Sequence, residues 1–179
     1  MKFSGEVVLI TGAARGIGEA TARRFAAEGC RLGLLDLNPR VFQVAEELRQ
    51  QGCGVQAFQA DVTNPAQIED VVARLTREWG SLDVLVNNAG IAKAVPLMEL
   101  TVEEWERVLK VNLTGTFICS QAAARVMIPQ RRGAIVNLAS LAAKRGARTN
   151  GAHYAASKAG VVSLTMSLAV ALAPHGIRV

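Results

Sequence analysis

The sequence is poor in cysteine, in aromatic residues and in long apolar runs, and each shortage narrows what the chain can do. Its three cysteines, Cys30, Cys53 and Cys119, are far apart and fall in no CxxC or Cys/His spacing. That pattern argues against a metal site and predicts free thiols, buried or half-buried. Aromatic residues make up only 4% of the chain. A formal net charge of +5 suggests a polyanion as partner. The basic residues, however, are dispersed among acidic ones and none interleave with aromatics, so no nucleic-acid partner is expected. The first residues, MKFSGEVVLIT, lack the apolar stretch and cleavage site of a signal peptide. The most apolar helical stretch, Val161–Ala173, is shorter than a membrane span and carries Ser and Thr. No membrane partner and a cytoplasmic location are therefore expected.

What the chain does contain is an alternation of strand and helix signals. Val7–Thr11 is a continuous apolar run of the kind found in a strand buried on both faces. A helical segment Gly16–Glu28 follows, then a strand Arg31–Asp36. Asn38 with Pro39 supplies an N-cap and a first-turn proline for a helix to about Gln51. Val55–Gln59 reads as a strand, and Asn64–Pro65 repeats the helix start for a segment ending near Trp79. Val84–Asn87 is a fourth strand, followed by an irregular stretch Asn88–Leu100. Thr101 with Glu104 predicts a capping box on a short helix. A longer helix is expected over about Leu109–Ile128, a fifth strand over Ala134–Leu138, a loop over Ser140–His153 and a long helix over Tyr154–Ala173. Another strand begins at Ile177. The expected architecture is α/β: a doubly wound parallel sheet, the Rossmann fold, in a single domain over residues 1–179 with strand order 3-2-1-4-5-6. Ligands of such sheets lie at the carboxyl ends of the strands, where the winding reverses.

Two groups of residues carry chemistry. Between the first strand and first helix stands TGAARGIG, with Gly12, Gly16 and Gly18 where backbone N–H groups must approach a phosphate closely. The spacing GxxxGxG departs from the common GxGxxG fingerprint. Asp36 ends the second strand, 18 residues beyond Gly18, where a carboxylate can accept hydrogen bonds from ribose hydroxyls. A 2′-phosphate there would meet a like charge, so Asp36 favours NAD over NADP. Arg15, within the turn, can pair with a phosphate and points the other way. The second group is YAASK, with Tyr154 and Lys158 one helical turn apart on one face. A phenol is a weak base at neutral pH, and an ammonium close by stabilises its phenolate. His153, beside Tyr154, reads as a loop residue.

With these motifs in order the chain resembles the short-chain dehydrogenase/reductases, including members similar to 3-oxoacyl-[acyl-carrier-protein] reductases. The matching residues are Thr11–Gly18, Asp36, Asp61 with Val62, Asn87–Gly90, Asn112, Ser140 and Tyr154–Lys158. The resemblance implies a hydride transfer between a nicotinamide cofactor and a secondary alcohol or ketone. It implies cofactor contacts from Thr11, Gly12, Arg15, Gly16, Ile17, Gly18, Asp36, Asp61, Val62, Asn88, Ala89, Gly90, Tyr154 and Lys158. Asp61 and Val62 would flank the adenine, and Lys158 would bind the nicotinamide ribose. Asn112 would interrupt a helix and hold a water near Lys158, Ser140 would hold the substrate oxygen, and Tyr154 would be the acid/base. Ser140 stands about one residue farther from Tyr154 than the family pattern, so the loop Leu141–His153 is expected to bulge. The irregular stretch Ile91–Leu100 should touch a small-molecule substrate, a 3-oxoacyl thioester, sugar or diol. Arg131 and Arg132 would offer a site to an acidic acyl-carrier protein or simply be a solvated helix end. The apolar helix Val161–Ala173 is either core or, with the helix of Asn112, the interface of a homodimer or homotetramer. The family continues past Val179, so the sequence resembles an amino-terminal portion of such an enzyme, with a cofactor-binding but inactive fragment as the alternative.

Overall fold

The computed structural model describes residues 3–147 and 151–179. Among them β1 (Val7–Thr11), α1 (Gly16–Ala27), β2 (Arg31–Asp36), α2 (Arg40–Gln50), β3 (Val55–Gln59), α3 (Pro65–Trp79) and β4 (Val84–Asn87) alternate as expected. After α4 (Val102–Leu109) come a π turn (Lys110–Thr114), α5 (Gly115–Gln130), β5 (Gly133–Asn137), α6 (Ala142–Arg145), α7 (Gly151–Leu172) and β6 (Ile177–Arg178). The strands form one parallel sheet in the expected order, β3-β2-β1-β4-β5-β6.

The period-two alternation of a strand divides the core. Val8 and Ile10 of the fully buried β1 face Ala22, Val41, Val44 and Leu48 of α1 and α2. Val7 and Leu9 belong to the other layer, with Ile68, Val71 and Leu75 of α3 and Ala123 and Met127 of α5. Each Val, Leu, Ile or Met side chain among these, fully removed from water, contributes roughly 1.5–3 kcal/mol before entropy is set against it. Helices on both faces leave the strand ends as the place where ligands reach main-chain groups.

The caps show how local chemistry sets the elements. Asn64 accepts from Gln67 N–H and Pro65 takes the first helical position, as read from the sequence. Asn38 accepts from Arg40 N–H at 2.9 Å, so α2 opens at Arg40, one residue later than Pro39. Only half of the expected capping box forms: Thr101 Oγ1 accepts from Glu104 N–H at 3.2 Å, while the Glu104 carboxylate turns to Arg107.

Further expectations are revised. The helix foreseen over 109–128 starts differently, because Leu109 ends α4, while the interruption expected at Asn112 is present as the π turn before α5. The loop foreseen over 140–153 contains α6, and α7 starts at Gly151, so His153 is helical and 0% exposed; residues 148–150 lie outside the described residues. The apolar stretch Val161–Ala173 is by itself shorter than a membrane span, as expected. With the small residues before Val161 included, Gly151–His175 is long and apolar enough by length and composition alone. Nor is that stretch simply core: Met166 is 60% and Val170 79% exposed.

Candidate active site

The turn after β1 is tied to the loop after β4. Thr11, at the end of β1, accepts through Oγ1 from the N–H groups of Asn88 (3.1 Å) and Ala89 (3.0 Å). Asn88 Nδ2 returns the contact, donating to the carbonyls of Thr11 (3.0 Å) and Gly12 (2.9 Å). So close an approach needs glycine. A Cβ on Gly12, which has φ +67°, would lie 2.8 Å from the Ala89 Cα, and one on Gly18 would lie 2.1 Å from the Gly12 carbonyl oxygen. Gly16 differs: it has φ +60° but open space where its Cβ would be. Arg15, the N-cap of α1, makes no side-chain cap, so the first N–H groups of the helix are left for an anion.

Above these elements lies a crevice of about 760 Å³. Gly12, Arg15, Gly16 and Ile17 line it from the first turn, Asp36 from the end of β2, Asp61 and Val62 from beyond β3, and Asn88, Ala89 and Gly90 from beyond β4. Asp36 is held by main-chain donors, accepting from Ala14 N–H and Asn38 N–H at 2.9 Å each. Asp61 likewise accepts from Thr63 N–H at 2.8 Å. Val62 packs so closely on Gly115 that a Cβ there would lie 2.7 Å from its Cγ2. Leu37, Asn38, Pro39, Arg107 and Val111 also line the crevice and were missed. The first three directly follow Asp36, so their position after a strand end was the available signal.

The second group sits beside the crevice. Lys158, 6% exposed, donates from Nζ to the Leu138 carbonyl at 2.6 Å. Burial lowers its pKa from the ordinary lysine value. Its Nζ is 6.0 Å from the centroid of the Tyr154 ring. Gly90 links this group to the crevice, since a Cβ there would lie 3.2 Å from Asn112 Oδ1 and 3.7 Å from Lys158 Nζ. Ser140 is half-buried and accepts from Ala142 N–H at 3.1 Å, which starts α6.

Asn112, 0% exposed, lies in the π turn. Its Oδ1 accepts from Ile91 N–H at 2.8 Å, and its Nδ2 donates to Ile91 O at 2.9 Å and Ser157 Oγ at 3.0 Å. Ser157 Oγ in turn donates to Tyr154 O at 2.7 Å. A continuous polar chain therefore runs from the loop after β4 through the π turn to the backbone of Tyr154. Ser157 was missed, although it lies within YAASK three residues after Tyr154. His153 is buried with neither ring nitrogen hydrogen-bonded among the described residues.

Nearly the whole chain, residues 6–179, matches the short chain dehydrogenase family. The chain belongs to this family. Among its relatives it is 42% identical to a sorbitol dehydrogenase of Cereibacter sphaeroides, covering 100% of this chain and 69% of that protein. It is 40% identical to a 3-oxoacyl-[acyl-carrier-protein] reductase of Thermotoga maritima, covering 100% of this chain and 73% of that one. The crystal structure of an NAD+-bound xylitol dehydrogenase superposes with a TM-score of 0.96 at 39% identity, covering 100% of this chain and 69% of that one. The family is one of oxidoreductases that use a nicotinamide cofactor, and this chain's named relatives are dehydrogenases and reductases acting at CH–OH groups.

Proposed function

We propose that this short-chain dehydrogenase, as one domain, binds NAD in the crevice and exchanges hydride with a secondary alcohol or ketone, Tyr154 transferring the proton. The observation that carries this reading is Lys158: a buried ammonium, held on the Leu138 carbonyl beside Gly90, one helical turn from the phenol. An unpaired buried cation is costly, and its placement where a phenol and a nucleotide-sized crevice meet gives it a task.

The residues fit the cofactor. The bare turn at Gly12 and Gly16, with the unfilled N-terminus of α1, suits a pyrophosphate. Asp36 uses part of its acceptor capacity on Ala14 and Asn38, and the rest suits ribose hydroxyls while repelling a 2′-phosphate. Arg15 opposes this preference with one exposed charge. In this reading Asp61 and Val62, which line the crevice, flank the adenine, and Asn88, Ala89 and Gly90 form its wall. When bound, the nicotinamide supplies the hydride acceptor or donor. Tyr154 takes the alcohol proton in oxidation and returns it in reduction. Lys158 favours the phenolate and reaches for the ribose, while Ser140 orients the substrate oxygen. Asn112 fixes the register of α7 against Ile91.

A sugar alcohol or small diol suits the relatives named for sorbitol and galactitol. A carrier-protein partner is less well supported, because, of the exposed pair Arg131 and Arg132, the latter already meets the buried Asp83 at 2.9 Å. The exposed Met166 and Val170 of α7 and Phe117 of α5 suit assembly into a dimer or tetramer through these helices.

The test is a fluorescence titration with NADH and NADPH, followed by turnover of a panel of sugar alcohols, diols and ketones. Tighter NADH binding and measurable turnover are expected. Failure to bind either cofactor overturns the proposal, tighter NADPH binding overturns the assignment of Asp36, and binding without turnover removes the catalytic assignment alone.

A further inference from the structure

The paired strands β2 and β3 lead back, at their amino ends, to two cysteines that the chemistry above does not use. Leu32 stands beside Val55 and Leu34 beside Ala57. Two residues earlier on both strands, the same register sets Cys30 beside Cys53. The ladder persists between these positions, with Leu32 N–H donating to Gly54 O at 2.8 Å. Because side chains alternate, Cys30, Leu32 and Leu34 share one face with Cys53, Val55 and Ala57; Cys30, Leu32, Leu34 and Val55 are buried in the core beneath α1 and α2, and Cys53 and Ala57 pack against it partly buried. At Cys53 the main-chain N–H turns away to Leu48 O, and the thiol takes the place of the next rung, donating from Sγ to Cys30 O at 3.2 Å. The Cys30 thiol donates to Phe3 O at 3.3 Å. Neighbouring strands stand about 4.8 Å apart, inside the roughly 4.4–6.8 Å between α-carbons that a disulfide spans. To close the bond, the Cys30 thiol gives up its contact with Phe3 O.

From this juxtaposition we propose that Cys30 and Cys53 form a thiol-modification site that reacts with a low-molecular-weight disulfide and closes into an intramolecular disulfide, stapling edge strand β3 to β2. The half-buried Cys53 is the entry point. Its thiolate attacks the reagent, giving a mixed disulfide and releasing one small thiol. The Cys30 thiolate then attacks the Cys53 sulfur and expels the second. Two protein thiols are oxidised and the reagent disulfide is reduced to two thiols. Burial raises both protein thiols, Cys30 to about 11 with the neighbouring Cys53 adding to it, so the reaction is slow at neutral pH and faster in alkali. The pair lies at the opposite end of the sheet from the crevice, and the staple leaves the cofactor-lining residues in place.

The full chain is incubated with excess oxidised glutathione at about pH 8.5, near the ordinary thiol pKa. Remaining thiols are then alkylated under denaturing conditions, and the digest is mapped by mass spectrometry without reduction. The expected product is a Cys30 peptide joined to a Cys53 peptide, with a yield that rises with pH, while Cys119 is recovered alkylated. Cys30→Ser is expected to stop at one glutathione on Cys53, and Cys53→Ser to leave Cys30 unmodified. Recovery of both thiols alkylated overturns the proposal. So does a link to Cys119, or glutathione that persists on Cys53 in the unsubstituted chain.

Discussion

The two regions that meet at the carboxyl end of the sheet are built from opposite materials. Around the turn after β1 the site is shaped by missing side chains: Gly12 and Gly18 let main chain touch main chain, and Gly16 leaves open space. Around α7 it is shaped by buried polar side chains, Asn112, Ser157 and Lys158, each held by hydrogen bonds. The first region specifies room and the second specifies charge and proton position. Damage to the first should therefore appear as lost affinity, and damage to the second as lost chemistry.

The sharpest way to break this division is Tyr154→Phe. It deletes one oxygen on the charge-bearing side and touches nothing in the turn. Turnover should fall by roughly 10²–10⁴-fold, the usual worth of a positioned acid–base group, while NADH affinity stays within about twofold, since general acid–base worth is not binding worth. A parallel loss of NADH affinity in the titration would erase the distinction between the regions. Next comes Gly18→Ala on the other side. Its methyl would meet the Gly12 carbonyl oxygen at 2.1 Å, and overpacking of this kind costs about 1–3 kcal/mol. NADH affinity should drop by about tenfold or more, with a lower Tm, because 1.4 kcal/mol is a factor of ten in binding. Gly16→Ala, with open space but a positive φ, should cost only about 1 kcal/mol of stability, read as a small fall in Tm. Equal effects from the two glycines would mean that steric room does not govern the turn.

The same division explains how much was legible in the sequence. The sheet order and the glycine turn were readable because they rest on local rules: apolar runs for strands, Asn-Pro for helix starts, and glycine where a side chain cannot fit. The short-range signals failed where long-range contacts take over. The Leu109–Ile128 pattern alone reads as one helix, and the interruption at Asn112 came only from the family resemblance; the Asn112 side chain pairs with both main-chain groups of Ile91, and the backbone widens into a π turn there. His153 read as a loop residue because nothing local announces that α7 begins at Gly151. Thr101 and Glu104 matched the capping box, but Arg107 one turn on drew the Glu104 carboxylate away. Ser157 matters only through its partners, Asn112 and Tyr154 O, and a partner 45 residues away leaves no trace in local spacing.

Asp36→Ala sharpens the comparison from the boundary, since Asp36 is a charged side chain placed among main-chain groups. Its carboxylate, fixed by Ala14 and Asn38, should set cofactor choice and leave the chemical step alone. A hydrogen bond to a charged group is worth about 1.5–3 kcal/mol, so the ratio of kcat/KM for NAD over NADP should fall by about tenfold or more. The variant should still turn over with either cofactor at similar kcat. An unchanged ratio would show that the preference, if present, is set by Arg15 or by residues after β2 such as Leu37 and Asn38.

The smallest effect expected is also the most direct reading of charge in the second region. Burial lowers the pKa of Lys158 below its ordinary value of 10.5. In the unfolded chain the lysine keeps its proton up to that ordinary value, whereas in the folded chain it gives the proton up earlier. Between the lowered value and 10.5 the unfolded state binds more protons, so the stability of the parent rises with pH across that window. Below the window the parent carries the whole cost of the buried charge. Lys158→Met removes that cost and also the bond to Leu138 O, which makes its net effect at one pH small. The pH dependence is the informative part: the Tm of the variant minus that of the parent should be largest near neutrality and decline as pH approaches 10.5. Titrating groups that do not interact with Lys158 cancel in the difference, and making both measurements in a Tyr154→Phe background removes the coupled phenol. A difference that stays flat with pH would mean that the ammonium is effectively solvated, and that the proton-handling side of the site is not held apart from water as its geometry requires.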